Sequence, residues 1–230
     1  TLLAAGAPLP PLLFVKGSWP LAATVGIGIV GTREPSAYGA NVARQVARLA
    51  AGAGQVVVSG AARGIDSSAH LGALEAGGTT LAVLGTGLNH VYPAENAELY
   101  ARICQRGALL SQFAPAVLPD RKTFPLRNAV IAALSQTVVV VEGGEKSGAR
   151  HTAAFAKRFG KRLFAVPGEI TNPQAILPNT LIAEGAESLL DPKLVLQRPS
   201  AAAPELPGLP AAAPLAAKKA APKAKTADEL

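Results

Sequence analysis

The stretch that decides the fold is VGIGIVGTREPSAYGANVARQVARLAAGAGQVVVSG, residues 25–60. It opens with an apolar run, Val25–Val30, crosses a turn rich in small residues, and closes with a second apolar run, Gln55–Val58. Between these runs, Tyr38–Ala53 carries apolar residues at helical spacing. A short strand, a helix and another short strand form the repeating unit of α/β proteins, so this stretch predicts that class of fold.

The same alternation continues toward the C-terminus. Most of the strand runs are continuously apolar, as expected of parallel strands that are covered on both faces. The pattern therefore predicts a doubly wound α/β fold with a mostly parallel sheet and helices on both faces. The further strands are predicted at Thr79–Leu84, Ala108–Leu110, Thr137–Val141 and Arg162–Val166, and the further helices at Asp66–Glu75, Asn96–Arg106, Asn128–Leu134 and Thr152–Phe159.

Composition and charge divide the chain into two parts. The 230 residues are 49% hydrophobic and carry a net charge of +7, which is a weak pointer to a polyanionic partner. Residues 197–230 are rich in Ala, Pro and Lys, and we expect a disordered linker or tail there. Residues 1–196 are the predicted folded domain and must supply the function.

Several classes of protein are excluded by what the sequence lacks. One cysteine, Cys104, rules out an internal disulfide framework and a thiolate zinc site. His70, His90 and His151 have no metal-ligand spacing, so we expect surface or hydrogen-bonded histidines and no metal. No apolar run approaches the ~18 residues of a membrane helix, and no signal peptide is recognisable, so a cytoplasmic protein without a membrane partner is expected. Because the chain has no Met and starts at Thr1, we expect its numbering to begin inside a longer gene product.

Four predicted strands are followed by loops in which Gly stands with Ser, Thr, Arg or Lys, at residues 31–39, 59–66, 85–93 and 142–152. Ligands of doubly wound folds bind at the carboxyl ends of the strands, and helix N-termini favour anions. Ser36 is predicted to cap the helix that follows it. The candidate anion-binding residues in these loops are Gly31, Thr32, Arg33, Ser36, Ser59, Gly60, Gly64, Lys146, Ser147, Gly148, Arg150 and Thr152.

The segment RKTFPLRN, residues 121–128, places three cations and one aromatic residue before an apolar helix. In one interpretation it is a solvated loop with Phe124 in the core. In the other, Arg121, Lys122 and Arg127 hold phosphates while Phe124 stacks on a base. Position alone does not choose between them, although a cation at a helix start opposes the helix dipole and is easier to explain with a bound anion.

Two segments match the letters of nucleotide-binding motifs but lack the features that those motifs need. GIGIVG, residues 26–31, matches G-x-G-x-x-G, but its first glycines lie inside the strand and the second strand ends in Ser59 instead of an acidic residue. GGEKS, residues 143–147, resembles a Walker motif, but Glu145 precedes Lys146 where that motif has Gly. No cofactor is predicted.

Seven segments together resemble the DNA-processing protein A family, also called DprA or Smf. The resemblance covers roughly residues 8–192. It implies an extended Rossmann-like domain that binds single-stranded DNA regardless of sequence, is not an enzyme, needs no cofactor and forms a homodimer through that domain. It also implies a recombination mediator that protects incoming DNA and helps load the RecA recombinase during natural transformation. The segments are VGTREPSAYG (30–39), SGAARGIDSSAH (59–70), LAVLGTGLNHVYPAEN (81–96), FPLRNAVIAALS (124–135), VVVVEGGEKSGARHTAAFA (138–156), VPG (166–168) and LIAEGA (181–186).

The resemblance assigns the DNA pocket to particular residues. Either Arg121 or Lys122 supplies the lysine that the family has before the aromatic residue. The chain departs from the family pattern at Ala129, where an Arg is usual, and Arg150 is a candidate replacement for that cation. Pro178 stands where Gly is usual and is expected to fix a turn. The pocket residues carried over from the family are Arg33, Ser59, Gly60, Phe124, Arg127 and Asn128.

Two other functions compete with this interpretation. A related Rossmann-like family of phosphoribohydrolases acts on nucleotides, and Glu142 is the carboxylate placed for acid/base work, although a loop cap or a partner for Lys146 is its ordinary role. A pure interaction scaffold is the third possibility. Leu181–Ala183 and Leu189-Leu190 offer apolar surface for a dimer or are ordinary core.

Overall fold

Strands from both halves of the chain form one mixed sheet in the computed structural model, which describes residues 9–18 and 26–197. In these residues the sheet has the order β1-β5-β4-β3-β2-β6-β7-β8, and only β1 runs antiparallel to its neighbour. The strands are β1 Phe14–Gly17, β2 Gly26–Val30, β3 Val56–Ser59, β4 Thr80–Leu84, β5 Ala108–Ser111, β6 Ser135–Val140, β7 Arg162–Ala165 and β8 Glu187–Ser188.

Helices cover both faces of this sheet. Alternate residues of one strand enter opposite cores: Val57 packs with α1 and α2, whereas Val56 and Val58 pack on the face of α4, α5 and α6. The described part of the chain therefore has the doubly wound α/β fold that the sequence predicts. The helices are α1 Ala37–Gly52, α2 Ile65–Glu75, α3 Ala97–Arg106, α4 Thr123–Ala133, α5 Ala149–Arg158 and α6 Ile176–Ala183, with 3₁₀ turns at Ala94–Asn96, Pro173–Ala175 and Pro192–Leu196.

The strand order reverses between β2 and β6. From β2 the chain moves outward through β3, β4 and β5, then returns to place β6 on the other side of β2. The loops after β2 and β6 therefore leave the sheet side by side, and the helices that follow them diverge to opposite faces. Such a reversal leaves a crevice at the carboxyl ends of the two strands, which is where open α/β sheets bind ligands.

The observed elements differ from the predicted ones at a few boundaries. Helix α4 begins at Thr123 and not at Asn128, because Pro125 lies in the first turn, where a missing N–H costs no helical hydrogen bond. Helix α5 begins at Ala149 and not at Thr152. Pro178, expected to fix a turn, lies in the first turn of α6. Val25 and the predicted tail, apart from Gln197, lie outside the described residues.

Three elements have no counterpart in the prediction. β1 is a four-residue edge strand with three exposed residues, β8 has two residues, and α6 follows a segment with two prolines. None of these segments has the long buried run that marks the central strands. Among the described residues, no helix has the length and apolar character needed to cross a membrane.

Candidate nucleic-acid interface

A cleft of about 460 Å³ opens at the carboxyl ends of β2 and β6, where the strand order reverses. Its walls are the loop after β2, the loop after β6 and the first turns of α4. The predicted site residues that line it are Gly31, Thr32, Arg33, Phe124, Arg127, Asn128, Lys146, Ser147, Gly148 and Thr152. The cleft thus brings together three segments that are far apart in sequence, residues 31–33, 124–128 and 146–152.

The rim of the cleft is cationic. Arg33 and Lys146 are both exposed and stand on the loops after β2 and β6. Gly148 is the N-cap of the ten-residue helix α5, whose first turn holds no acidic residue. Two exposed cations and a helix N-terminus therefore surround the opening, and each favours a bound anion.

Phe124 lies half-buried between the cations and a second aromatic ring. The Cζ atom of Arg33 is 5.3 Å from the centre of the Phe124 ring, and the Cζ atom of Arg127 is 5.8 Å from it. A Cβ atom at Gly85 would come within 2.6 Å of the Phe124 ring, so the ring rests directly on the backbone at that glycine. Phe124 is thus neither a core residue nor part of a fully solvated loop, and cation–π contacts hold its ring at the cleft.

Arg127 forms the floor of the cleft and is only 4% exposed. Its Nη1 donates to the carbonyl oxygens of Gly60, at 2.5 Å, and Val83, and its Nε donates to Asn128 Oδ1 at 3.1 Å. A Cβ atom at Gly60 would collide with the guanidinium, so this close approach requires glycine there. Arg127 is the fifth residue of α4, and protein groups already compensate its charge. The mismatch with the helix dipole therefore needs no bound anion to explain it.

Asp66 is the charged cleft residue that sequence reasoning missed, while Ala62, Gly144 and Gln174 also line the cleft without having been predicted. It stands in the first turn of α2, is 7% exposed and lines the cleft. Burial raises the pKa of its carboxyl above the usual value, while the nearby Arg127 and the N–H of Ala62 oppose that rise. An acidic residue in a first helical turn is ordinary, so the sequence carried no signal that it is buried in the electrostatic field of Arg127.

Ser59, Gly60 and Gly64 serve the scaffold and do not line the cleft. The Ser59 hydroxyl, fully buried, donates to Ile29 O at 2.6 Å and thereby ties β3 to β2. Gly60 makes room for Arg127. Gly64 precedes α2 with a φ of 76°, and a Cβ atom there would lie 2.5 Å from Thr32 O. These residues hold the first two strand-end loops against each other.

Ser36 caps α1, as predicted, and binds Glu142. Its Oγ accepts from Gly39 N at 3.1 Å and donates to Glu142 Oε1 at 2.6 Å, while its own N–H donates to Glu142 Oε2 at 2.9 Å. Glu142 is 4% exposed, so both of its oxygens are used in joining the two loops. The role of loop cap is therefore the one that the structure supports for Glu142.

The remaining predicted residues lie outside the cleft lining. Arg121 and Lys122 are exposed in the segment that leads into α4, and Arg150 is half-buried in the first turn of α5. In the described residues, no group of three or more His, Cys, Asp or Glu is arranged to hold a metal ion.

The apolar segments for which a dimer surface and ordinary core were both expected contain buried and exposed residues. Leu181 and Leu189 are buried, at 2% and 6% exposure, and belong to the core. Leu190 is 78% exposed.

Comparison with protein families places the chain among DNA-processing proteins. Residues 2–199 match the family described as DNA recombination-mediator protein A. The DNA processing protein DprA of Bacillus subtilis is 41% identical over 181 residues, which are 78% of this chain and 61% of that protein. Protein Smf of Escherichia coli is 40% identical over 189 residues, 82% of this chain and 50% of that protein. The chain spans about half the length of the curated relatives it matches.

Solved structures show the same likeness. DprA from Streptococcus pneumoniae superposes with a TM-score of 0.79 at 37% identity, over 85% of this chain and 69% of that one. DprA from Helicobacter pylori superposes with a TM-score of 0.76 at 29% identity, over 84% of this chain and 89% of that one, and is described for its mode of binding single-stranded DNA.

Proposed function

Because the chain belongs to the DNA recombination-mediator protein A family, we propose that its cleft between β2 and β6 binds single-stranded DNA without regard to sequence. One observation carries this proposal: Arg33, Lys146 and the N-terminus of α5 surround an opening in which an aromatic ring, Phe124, is held. Groups that grip phosphate position a strand but read no bases, and an aromatic face accepts any base.

The exposed residues of the cleft contact DNA, and the buried ones support them. Arg33 and Lys146 contact phosphates, since both cations are solvated and able to exchange counterions for DNA. Phe124 stacks with a base in the gap between them. Arg127 and Asp66 keep the ring and the loops in position from below, where no phosphate displaces their protein partners.

We further propose that the protein acts in the cytoplasm as a mediator of natural transformation, protects the incoming strand and helps load RecA, and that it does so as a homodimer without catalysing a reaction. Family membership supports the mediator role. The engagement of Glu142 by Ser36 supports binding over acid/base catalysis. The exposed Leu190, next to the buried Leu189, supplies apolar surface for self-association.

A titration of labelled oligo-dT by fluorescence anisotropy at several salt concentrations tests the DNA-binding proposal. With about three phosphates neutralised, the slope of log K against log salt is expected near roughly −2, and Arg33→Ala or Lys146→Ala is expected to flatten it by about 0.7. Arg48→Ala, an exposed cation on α1, is the matched control and should bind as the parent protein does. Parent-like binding by both cleft variants would contradict the site, and no binding at low salt would contradict the function.

The mediator role is tested by RecA filament formation on single strands coated with a bacterial single-strand-binding protein. The parent protein should shorten the lag of RecA's DNA-dependent ATPase, and Arg33→Ala should not. Sedimentation of Leu190→Glu tests the homodimer, since a charge in an apolar contact should release monomer. A lag that is unchanged by the parent protein would contradict RecA loading while leaving DNA binding intact.

A further inference from the structure

The row of rings and cations that begins in the cleft continues past its edge. Tyr92, in the loop after β4, is 41% exposed and lies outside the cleft lining. Its ring centre is 5.6 Å from that of Phe124, with the two planes at 46°. The row so far is Arg33, Phe124 and Tyr92, and the outward part of the Tyr92 ring is open to solvent.

A further cation is bound to the turn that follows Tyr92. Arg63, in the loop after β3, donates from Nη2 to Glu95 Oε2 at 3.2 Å and from Nε to Glu95 Oε1, and its side chain is 63% exposed. The hydrogen bond to Glu95 raises the pKa of Arg63, and Tyr92 and Glu34 add smaller electrostatic contributions in the same direction. The ion pair with Glu95 thus ties Arg63 to the turn that begins three residues before Glu95, at Tyr92.

The protein holds both residues in place through groups behind them. The hydroxyl of Tyr100, a buried residue of α3, donates to the carbonyl oxygen of Tyr92 at 2.8 Å. The Asn96 amide donates to Ala61 O and to Ser67 Oγ, each at 3.0 Å. These bonds join the turn that carries Glu95 to the loop that carries Arg63, so the two loops hold Tyr92 and Arg63 on the same side of the cleft edge.

We propose that Tyr92 and Arg63 form a second nucleotide subsite beside the cleft, where Tyr92 stacks on the base and Arg63 binds the phosphate of the neighbouring nucleotide. This inference rests on the proposed function of the cleft. Two neighbouring rings with a cation on each side suit a single strand with unstacked bases, since the bases stack on the rings and the phosphates bind the cations. Glu95 limits the subsite, because its carboxylate and a phosphate compete for the same guanidinium fork.

Substitution of the ring tests the base contact. Tyr92→Leu should weaken the affinity for oligo-dT by about fivefold or more, where fivefold corresponds to the weakest stack of one base on an aromatic ring. The salt slope should not change, because no cation is removed. Tyr92→Phe should bind as the parent protein does. The matched control is Tyr38→Leu, since Tyr38 is a 56% exposed tyrosine at the start of α1, outside the cleft. On an abasic oligonucleotide, Tyr92→Leu and the parent protein should bind alike.

Substitution of the ion pair tests the phosphate contact. Glu95→Gln should tighten binding by about two- to threefold, and Arg63→Ala should weaken it and flatten the salt slope by about 0.7. Glu98→Gln, an exposed carboxylate in the first turn of α3, is the matched control and should have no effect.

The results separate this inference from the function on which it rests. If Tyr92→Leu and Glu95→Gln bind as the parent protein does while Arg33→Ala binds more weakly, the second subsite is contradicted and the DNA-binding role of the cleft is not. If Arg33→Ala also binds as the parent protein does, the DNA-binding role of the cleft is contradicted together with the subsite. An equal loss on normal and abasic strands in Tyr92→Leu would likewise overturn the stacking role.

Discussion

The rim and the floor of the cleft each carry an arginine near the same ring, yet the two arginines are in opposite states. Arg33 and Arg127 have their Cζ atoms 5.3 and 5.8 Å from the centre of Phe124. Arg33 is exposed, whereas Arg127 is 4% exposed and donates to two carbonyl oxygens and Asn128. Exposure therefore decides which cation is available to DNA and which one holds the site together.

The energetic consequences follow from solvation. A solvated cation exchanges its counterions for phosphate at little cost to the fold, and salt opposes that exchange. A buried cation has already lost its water and depends on its protein partners, so its removal leaves other buried polar groups unpaired. Variants of the floor should thus change the free energy of unfolding, and variants of the rim should change the salt dependence of binding.

Arg127→Ala should have the largest effect. It should lower the free energy of unfolding by about 3–5 kcal/mol, because two carbonyl oxygens lose their donor and the buried carboxylate of Asp66 loses a nearby positive charge. Urea unfolding followed by circular dichroism measures the change. The double variant Asp66→Asn/Arg127→Met, which removes both charges at similar volume, should recover part of the loss. If Arg127→Ala costs as little as a surface substitution, the floor is not the support described above.

Gly60→Ala should come next. The added Cβ atom would collide with the guanidinium of Arg127 and displace it from its carbonyl partners, at a cost of about 1–3 kcal/mol. Gly52→Ala is the matched control, because no atom lies within 4 Å of a Cβ placed there and alanine favours the helix. The comparison of the two unfolding curves checks the prediction, and equal stability would contradict it.

A third prediction concerns pH and His70, which is fully buried on α2. The Thr80 hydroxyl donates to Val57 O and so accepts from His70 Nδ1, at 2.7 Å, while Nε2 is buried with no partner among the described residues. The sequence-based expectation of a surface or hydrogen-bonded histidine is thus met at only one nitrogen. Burial, with a smaller contribution from Arg127, lowers the pKa of His70 to about 3.

Because the folded pKa of His70 lies below its ordinary 6.5, the unfolded chain binds more protons between these values, and stability must fall as pH decreases through that window. At pH 5 the loss from this histidine is about 2 kcal/mol. The raised pKa of Asp66 acts in the opposite direction at the acid end of the window. Unfolding curves of the parent protein and His70→Asn at pH 7 and pH 5 isolate the histidine, and identical pH dependence in the two proteins would contradict the prediction.

The smallest effect on stability is expected at the rim. Arg33→Ala and Lys146→Ala should each change the free energy of unfolding by less than about 0.5 kcal/mol, since both side chains are exposed. Thermal unfolding measures this directly. A rim variant as unstable as Arg127→Ala would remove the distinction between rim and floor.

Much of the fold could be predicted because local pattern and tertiary structure agree. The continuously apolar runs that become β2, β3, β4, β6 and β7 have no other stable place than the middle of a sheet. The short edge strands β1 and β8 carry no such run, and their pairing depends on a neighbour brought from elsewhere in the chain. Most predicted loop residues reach the cleft because every parallel strand ends at the same edge.

The sequence by itself determined that a doubly wound α/β domain with small, cationic loops after its strands would form, since periodicity and residue type are local properties. Only the tertiary structure decided which of these residues face solvent. It buried Arg127 against Gly60 and Val83, bonded Ser36 to Glu142, and brought Tyr92 to Phe124 across 32 positions of chain. The physical reason is that solvation and partner distance depend on packing between segments that are remote in sequence, and no local pattern records them.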